Sequence, residues 1–426
     1  MSPRSGGGPW RWLKYRVVSA VIHQPGLLRL AGALIRRWPL LEGKGGVVVR
    51  HSAAAQIFNR DASFSNTAHL PNLVAGEFAI GMESGARHDA ERAYLKDKLP
   101  TPADFASATL AESRRRIADL RTADPSTFDL VEDYMLWIAW AGMRGIFGSA
   151  APAIESVRSV SGSEQTARAA MLAFFKELRY LGAHLLVGAV ATSRVQARAH
   201  RSADALNGRV EASLAALRCA WSHRAGSDAE VQRNTTGLMW VGHPATTQAG
   251  ALVVQELLGR RDVYGTLRQE AQRLNLEAWT DEGFRKLVRN HVLELLRFRP
   301  AFPILLRNVP RDTEYELDEG RRGAARAGKQ VTLITAAAMF DPEAMAKPWV
   351  YRPDRPVAER CDAQGRYLIF GLGPRSCIAQ EHVVEMLVSA LVGLLTLPRL
   401  EWADPWFSRI SYDGPIITRM RLKFGR

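Results

Sequence analysis

One cysteine stands in a setting suited to a thiolate. The stretch Phe370-Gly371-Leu372-Gly373-Pro374-Arg375-Ser376-Cys377-Ile378-Ala379 puts Cys377 in a glycine-bearing loop beside Arg375. The apolar segment that follows, Glu381 to Leu395, reads as a buried helix. Gly373 lets the backbone turn tightly and approach a flat ring without a Cβ in the way. Phe370 can pack on the sulfur and exclude water. Arg375 can grip a carboxylate through a charge-assisted, bidentate hydrogen bond. Amides around Ile378 and Ala379 can point at the sulfur and tune it as a donor. The helix N-terminus behind the loop favours a thiolate over a thiol. These residue types suit a metal–thiolate bond; a buried structural cysteine is the alternative.

The spacing Phe-x-x-Gly-x-Arg-x-Cys resembles the haem-binding signature of the cytochromes P-450, the haem-thiolate oxygenases. The resemblance implies haem b (iron protoporphyrin IX), with Cys377 as the axial iron ligand, Phe370 and Gly373 beside it, and Arg375 on a propionate. In such proteins the sulfur pushes electron density toward iron and favours O–O cleavage, a property of the class and not of these residues. Ala379 departs from the family, which usually has glycine two residues after the cysteine. His88 and Arg92 lie four apart, on one helix face. They match a His-x-x-x-Arg pair that contacts haem propionates in many soluble members; an exposed polar face is the other reading. Arg307 ends Phe302-Pro303-Ile304-Leu305-Leu306-Arg307, which resembles the strand lining the pocket, and is a further candidate for a propionate.

A helix over Asp228 to Arg260 must then cross the oxygen side of the ring. It contains Gly242-His243-Pro244-Ala245-Thr246-Thr247. Aligned on the threonines with the family's small-Gly-x-acid-Thr-Thr pattern, Thr246 is retained and Ala245 replaces the acid that commonly helps deliver protons. Pro244 removes a backbone hydrogen bond and clashes with the carbonyl of Trp240, so the helix should open or kink here. His243 lies three residues before Thr246. It can serve as an acid or base at that site, or pack sideways against a neighbouring helix and leave Thr246 alone in place.

Glu294-Leu295-Leu296-Arg297 is a Glu-x-x-Arg pair on an apolar helix ending before Pro300. The spacing alone recurs, as at Glu112/Arg115 and Glu270/Arg273. Position makes it specific, because the family has its core-fixing ion pair at this place ahead of the cysteine. Arg360 is the expected third member. The cluster reads as structural.

The expected fold is mainly α with small β-sheets, a single large helical domain around a buried haem over residues 45–426. A basic arm and a first helix, residues 1–44, precede it. No linker-like stretch divides the 426 residues, and three scattered cysteines (Cys219, Cys361, Cys377) make no disulfide framework, which points to a reducing, cytoplasmic setting. The net charge is +14, and the first fifty residues hold nine basic side chains against Glu42 alone, with Trp10, Trp12 and Trp38 interleaved. That segment could rest on an anionic membrane surface, or be a solvated arm and a packed helix. Val17 to Ile35, broken by His23, Pro25 and Arg29, falls short of a membrane span. No motif supports nucleic-acid binding.

The resemblance implies an oxidoreductase that inserts one oxygen atom from O2 into an apolar or lipid-like small molecule. With no flavin, Rossmann or iron–sulfur motif in the sequence, electrons must come from a separate ferredoxin or flavodoxin-type protein. Arg321, Arg322, Arg326, Lys329, Arg366 and Arg375 are candidates for a positive docking face. Two alternatives stand beside this: a peroxygenase driven by H2O2, motivated by Ala245 and the His243-Pro244 pair, and a non-catalytic haem sensor or carrier.

Overall fold

The computed structural model describes residues 9–38, 46–122, 127–155, 164–221, 227–318, 320–356, 367–407 and 409–425. The chain opens with α1 (Pro9–His23) and α2 (Pro25–Arg37), bent by 88° at Gln24. Short β1 (Val47–Val48) runs into α3 (His51–Asn59), and 3-10 turns lead to α4 (Ala86–Lys98) and α5 (Pro102–Thr122). After β2 (Thr127–Asp129) and a π-helical turn come α6 (Leu136–Phe147) and the short α7 (Ala151–Glu155). Next are α8 (Glu164–Val187), α9 (Ser193–Ala212) and α10 (Leu214–Ala220). The central helix has three parts: α11 (Asp228–Gly237), a π-helical turn over Leu238–Gly242, and α12 (His243–Leu258). Then follow α13 (Arg261–Leu274), α14 (Glu282–Phe298), β3 (Leu305–Asn308), β4 (Thr313–Asp318), β5 (Arg321–Ala325), β6 (Gln330–Leu333) and α15 (Thr335–Ala338). The cysteine loop precedes α16 (Gln380–Leu395), and β7 (Leu400–Trp402), β8 (Ile410–Asp413) and β9 (Ile416–Phe424) close the chain.

The sheets are small, as expected. β1 pairs in parallel with β6, which pairs antiparallel with β3, Arg307 opposite Val331. β9 joins β2, β7 and β8, all antiparallel. β4 and β5 form a separate hairpin. The helices form the bulk of the core. α16 is buried along most of its length, as its near-continuous apolar sequence requires, and packs against α5 and α14.

The segment expected as an arm and one helix contains two docked helices. α2 approaches α15 so closely that a Cβ on Gly32 would lie 2.4 Å from Ala337 Cβ. The end of α1 holds the β8–β9 turn: His23 Nε2 donates to the Gly414 carbonyl at 2.8 Å, and its ring lies 3.7 Å from that of Tyr412. The expected strand at 302–307 begins only at Leu305, and residues 301–304 form an irregular connection.

The ion cluster is fully buried. Arg297 forks onto Glu294 with Nε–Oε2 2.9 Å and Nη2–Oε1 2.7 Å. Its Nη1 donates to the Met339 and Pro348 carbonyls. Arg360 lies outside the described residues. A different arginine sits third: Arg355 Nε is 3.4 Å from Glu294 Oε1, and its other nitrogens donate to the Ala346, Lys347 and Val350 carbonyls. The Tyr367 hydroxyl and the Arg352 amide also donate to Glu294. Burial acts to raise the Glu294 pKa, but the Arg297 fork and these two donors outweigh it and hold it below the ordinary value. Glu294→Gln leaves two buried guanidinium groups without a counter-charge and should cost about 3–5 kcal/mol, measured by denaturant unfolding. Because the folded pKa is depressed, the stability that Glu294 contributes is present above the unfolded carboxyl value of about 4.3 and is lost as pH falls through the folded one. Acid sensitivity below that value should be weaker in the variant.

Candidate active site

The cysteine loop is built from two tight turns. Gly371 and Gly373 adopt φ of 68° and 65°, where a side chain would be strained. The Cys377 amide closes the loop on the Phe370 carbonyl at 2.8 Å. Gly373 serves close approach, but to a different neighbour than expected: a Cβ there would lie 2.6 Å from Asn59 Oδ1 and 2.9 Å from the Phe58 carbonyl, so the glycine seats the loop on α3. The Ala379 amide donates to the Cys377 sulfur, as the sequence suggests. Burial pushes the thiol pKa up, while that amide and Arg92 pull it down. The sulfur lies deep in the fold, yet Cys377 keeps accessible surface. Cys377 is thus crowded by protein atoms and still reachable, which is what a metal ligand needs.

The cations expected around the ring converge here. On α4, Arg92 Nη2 donates to Ser376 Oγ at 3.1 Å, next to the cysteine. His88, one turn earlier and buried, has Nδ1 3.1 Å from Asp89 Oδ1. Its pKa is lowered by burial and then by the charge of Arg375. Arg307 on β3 is buried over the Phe58 ring at 5.1 Å, and its one hydrogen bond goes to the Leu306 carbonyl. Burial holds its pKa down to about 10. Among the described residues, neither Arg92 nor Arg307 has a carboxylate within salt-bridge distance.

Arg375 also has partners within the chain. Its Nε is 2.7 Å from Asp61 Oδ2, its Nη1 donates to the Ala79 carbonyl, and its Nη2 reaches Ser84 Oγ. The guanidinium expected on a propionate is thus engaged by an internal carboxylate that the sequence gave no reason to pair with it. His69, which sequence reasoning missed, lies near Arg307; burial and that cation lower its pKa to about 4.

The central helix requires the largest correction. Instead of a simple proline kink, a π-helical turn over Leu238–Gly242 precedes Pro244. Such a turn inserts one residue and rotates everything after it by about 100°. A small cavity of about 10 Å3, room for about one water, lies beside it, lined on this helix by Val241, Pro244, Ala245 and Gln248. Leu185 of α8, Ala301 and Phe302 of the α14–β3 connection, and Ile416 of β9 complete its apolar wall. Gly182 lets α8 come close, since a Cβ there would sit 2.7 Å from Pro244 Cβ. Thr246, expected at this surface, is not among its lining residues. Its hydroxyl donates back to the Gly242 and His243 carbonyls, both at 3.0 Å, and Thr247 likewise bonds the His243 carbonyl. Ala245, the next residue toward the N-terminus, does line it.

His243 takes the sideways arrangement. Its Nε2 donates to the Leu136 carbonyl at 3.0 Å, and its ring stacks on Phe175 at 4.6 Å. Burial lowers its pKa to about 4, so it is held neutral. The expected basic face is also reduced. Arg321, Arg322 and Arg326 pair with Asp318, Glu314 and Asp312; Arg375 is buried; Arg366 lies outside the described residues.

A deep, accessible cysteine held by a backbone amide, two uncompensated arginines and an apolar cavity beside a distorted central helix define a haem-thiolate architecture. Comparison with known proteins agrees. A family profile, Cytochrome P450, matches residues 197–381. Cytochrome P450 4d2 of Drosophila melanogaster is 28% identical over 176 residues, 40% of this chain and 34% of that protein. C-22 sterol desaturase ERG5 of Saccharomyces cerevisiae is 25% identical over 186 residues, 41% and 33% of the two chains. The chain thus spans about a third of the length of these curated relatives. The fold is shared over much more. Cytochrome P450 TbtJ1 superimposes with a TM-score of 0.69 at 18% identity, covering 94% of this chain and 97% of that one. CalO2 does so with 0.67 at 18% identity, covering 92% and 97%. Residues 197–381 thus carry the cytochrome P450 profile, and the chain shares the fold of solved cytochromes P450.

Members of the superfamily bind haem b, and these residues fit it: the accessible sulfur for iron, and Arg92 and Arg307 for the two propionates of a dianionic ring. Cys377→Ser should abolish the long-wavelength Soret band of the reduced CO complex. His243→Phe tests the sideways packing. The folded pKa of His243 lies below its unfolded value of 6.5, so stability present above pH 6.5 is lost as pH falls toward 4. The variant should lose less melting temperature than the parent between about pH 7.5 and about pH 5.

Proposed function

We propose that this chain is a haem-thiolate monooxygenase that inserts one oxygen atom from O2 into an apolar small molecule, with electrons supplied by a separate ferredoxin or flavodoxin-type protein. The observation that carries this reading is the Cys377 loop: an accessible cysteine whose sulfur accepts a hydrogen bond from the Ala379 amide, with Arg92 beside it. When bound, haem supplies the oxygen activation, and the thiolate's donation is what favours O–O cleavage.

The chain's own residues do the rest. The Ala379 amide moderates the charge on sulfur, the second-shell lever on a metal ligand. Arg92 and Arg307 orient the ring through its carboxylates by charge-assisted bonds. Arg375 with Asp61 fastens the loop to the turn that follows α3, a positioning role. The lining beside α12 supports a substrate with an apolar body: Leu185, Val241, Pro244, Ala245, Phe302 and Ile416 form it, and the side-chain amide of Gln248 is already engaged with β9 and the turn before it. P450BioI, whose structure is known with a hexadec-9Z-enoic acid-ligated acyl carrier protein, aligns with a TM-score of 0.67 at 16% identity over 89% of this chain and 91% of that one. That likeness is of fold alone and does not select a fatty acid here.

Ala245 favours a second reading. Neither hydroxyl nor carboxylate faces the cavity from α12, and His243 points elsewhere. A chain that hands on no protons of its own suits H2O2, which brings both oxygen atoms and both protons. Turnover driven by a reductase system, compared with turnover on H2O2 alone, separates the two: the first reading expects reductase-driven product, the second expects product with peroxide only. Removal of a true proton donor would cost about 10²–10⁴-fold. Thr246→Ala and His243→Phe should each change turnover by less than about threefold, and a larger loss with an unchanged CO spectrum would restore that residue to the reaction.

A further inference from the structure

Two helices and one loop expose apolar residues in rows. On α1 the exposed row is Trp10, Leu13 and Val17; on α2 it is Leu27, Leu30 and Leu34, with Trp38 just beyond. Each row has the spacing of one helix face. The opposite face of α2, with Leu28 and Gly32, is the one buried against the body. Trp406 and Phe407, on the loop before β8, are about three-quarters exposed. No single helix among the described residues is long and apolar enough to cross a membrane.

A large open groove joins these parts. Gln24, at the bend between α1 and α2, lines one edge, and Trp406 and Phe407 line another. Its floor and walls carry Arg260, Arg261, Arg268, Arg299, Arg399 and Arg409 against Glu256 and Glu401. Glu256 binds Arg260 and Arg299, and Glu401 lies near Arg399. Among the described residues, Arg261, Arg268 and Arg409 have no carboxylate partner. The Nε atoms of Arg260, Arg268 and Arg409 are buried and without a hydrogen bond. Arg409 packs over Trp402 at 5.2 Å. Lys14 and Arg16 are exposed on α1 between the apolar residues, and Arg37 on α2.

We propose that this face docks on an anionic bilayer, with α1, α2 and the Trp406–Phe407 loop in the interfacial layer and lipid phosphate headgroups in the arginine groove. Charge and side-chain type select this occupant. Helices lying in a membrane interface pair an apolar row with Lys and Arg, and tryptophan concentrates at that depth. A second copy of the same chain would bring the same positive groove against itself. The surface does not depend on the reaction proposed above, and its test uses no turnover.

The haem-loaded protein is mixed with vesicles of phosphatidylcholine alone, and with vesicles containing phosphatidylglycerol, and binding is read by flotation. We expect flotation with the anionic vesicles, weakened by salt, and little with the neutral ones. Leu30→Glu/Leu34→Glu and Arg261→Glu/Arg409→Glu should each lower partitioning at least about tenfold, since each basic residue near an anionic surface contributes about 1 kcal/mol. The CO spectrum of both variants should match the parent's, which shows that they fold. Equal absence of binding to both vesicle types overturns the proposal. So does a dimer in solution that Leu30→Glu/Leu34→Glu splits, since a second copy would then cover the face. Binding that survives both double variants would place the contact elsewhere and overturn it too.

Discussion

Glu294 is the point from which the cysteine side of the molecule is hung. A carboxylate with no exposed surface binds two arginines, a tyrosine hydroxyl and a backbone amide. The arginines then gather carbonyls from Met339 to Val350, and Tyr367 leads directly into the loop that carries Cys377. A charge cluster of this kind adds little net stability compared with a well-packed apolar one. It does specify one geometry, because each lone pair and each N–H has a single partner within reach. The described residues between α15 and α16, 339–356 and 367–379, have little regular structure to hold them, and this cluster supplies the constraint instead.

At the central helix the constraint is steric. Pro244 cannot continue a regular α-helix, and a π-helical turn precedes it. The extra residue turns Ala245 toward the cavity and Thr246 into the helix's own hydrogen bonding. The two features reinforce each other: a threonine whose hydroxyl is bonded to carbonyls one turn back has no free donor to offer.

The sequence made the cysteine loop legible because each of its residue types answers a separate physical need at fixed local spacing. The Glu294–Arg297 fork, three residues apart on one helix, was legible for the same reason. What stayed hidden depends on distance through space. Arg355 and Arg360 are equally plausible partners until the chain is folded. Asp61 gives no local sign that it will meet Arg375, 314 residues away. His69 has no motif. The register of α12 was misread because a helical wheel assumes 3.6 residues per turn, and a π-helical turn breaks that assumption at the one place where the direction of a side chain mattered.

The contact between His23 and Gly414 ties α1 to one wall of the small apolar chamber beside α12. The β8–β9 turn carries Ile416 into that chamber, and it leans on α1 through Tyr15 and His23. A shortened protein beginning after α2 would therefore lose a buttress as well as a surface. The turn that leads into Ile416 would then stand without the His23 hydrogen bond and the Tyr15 packing removed from it.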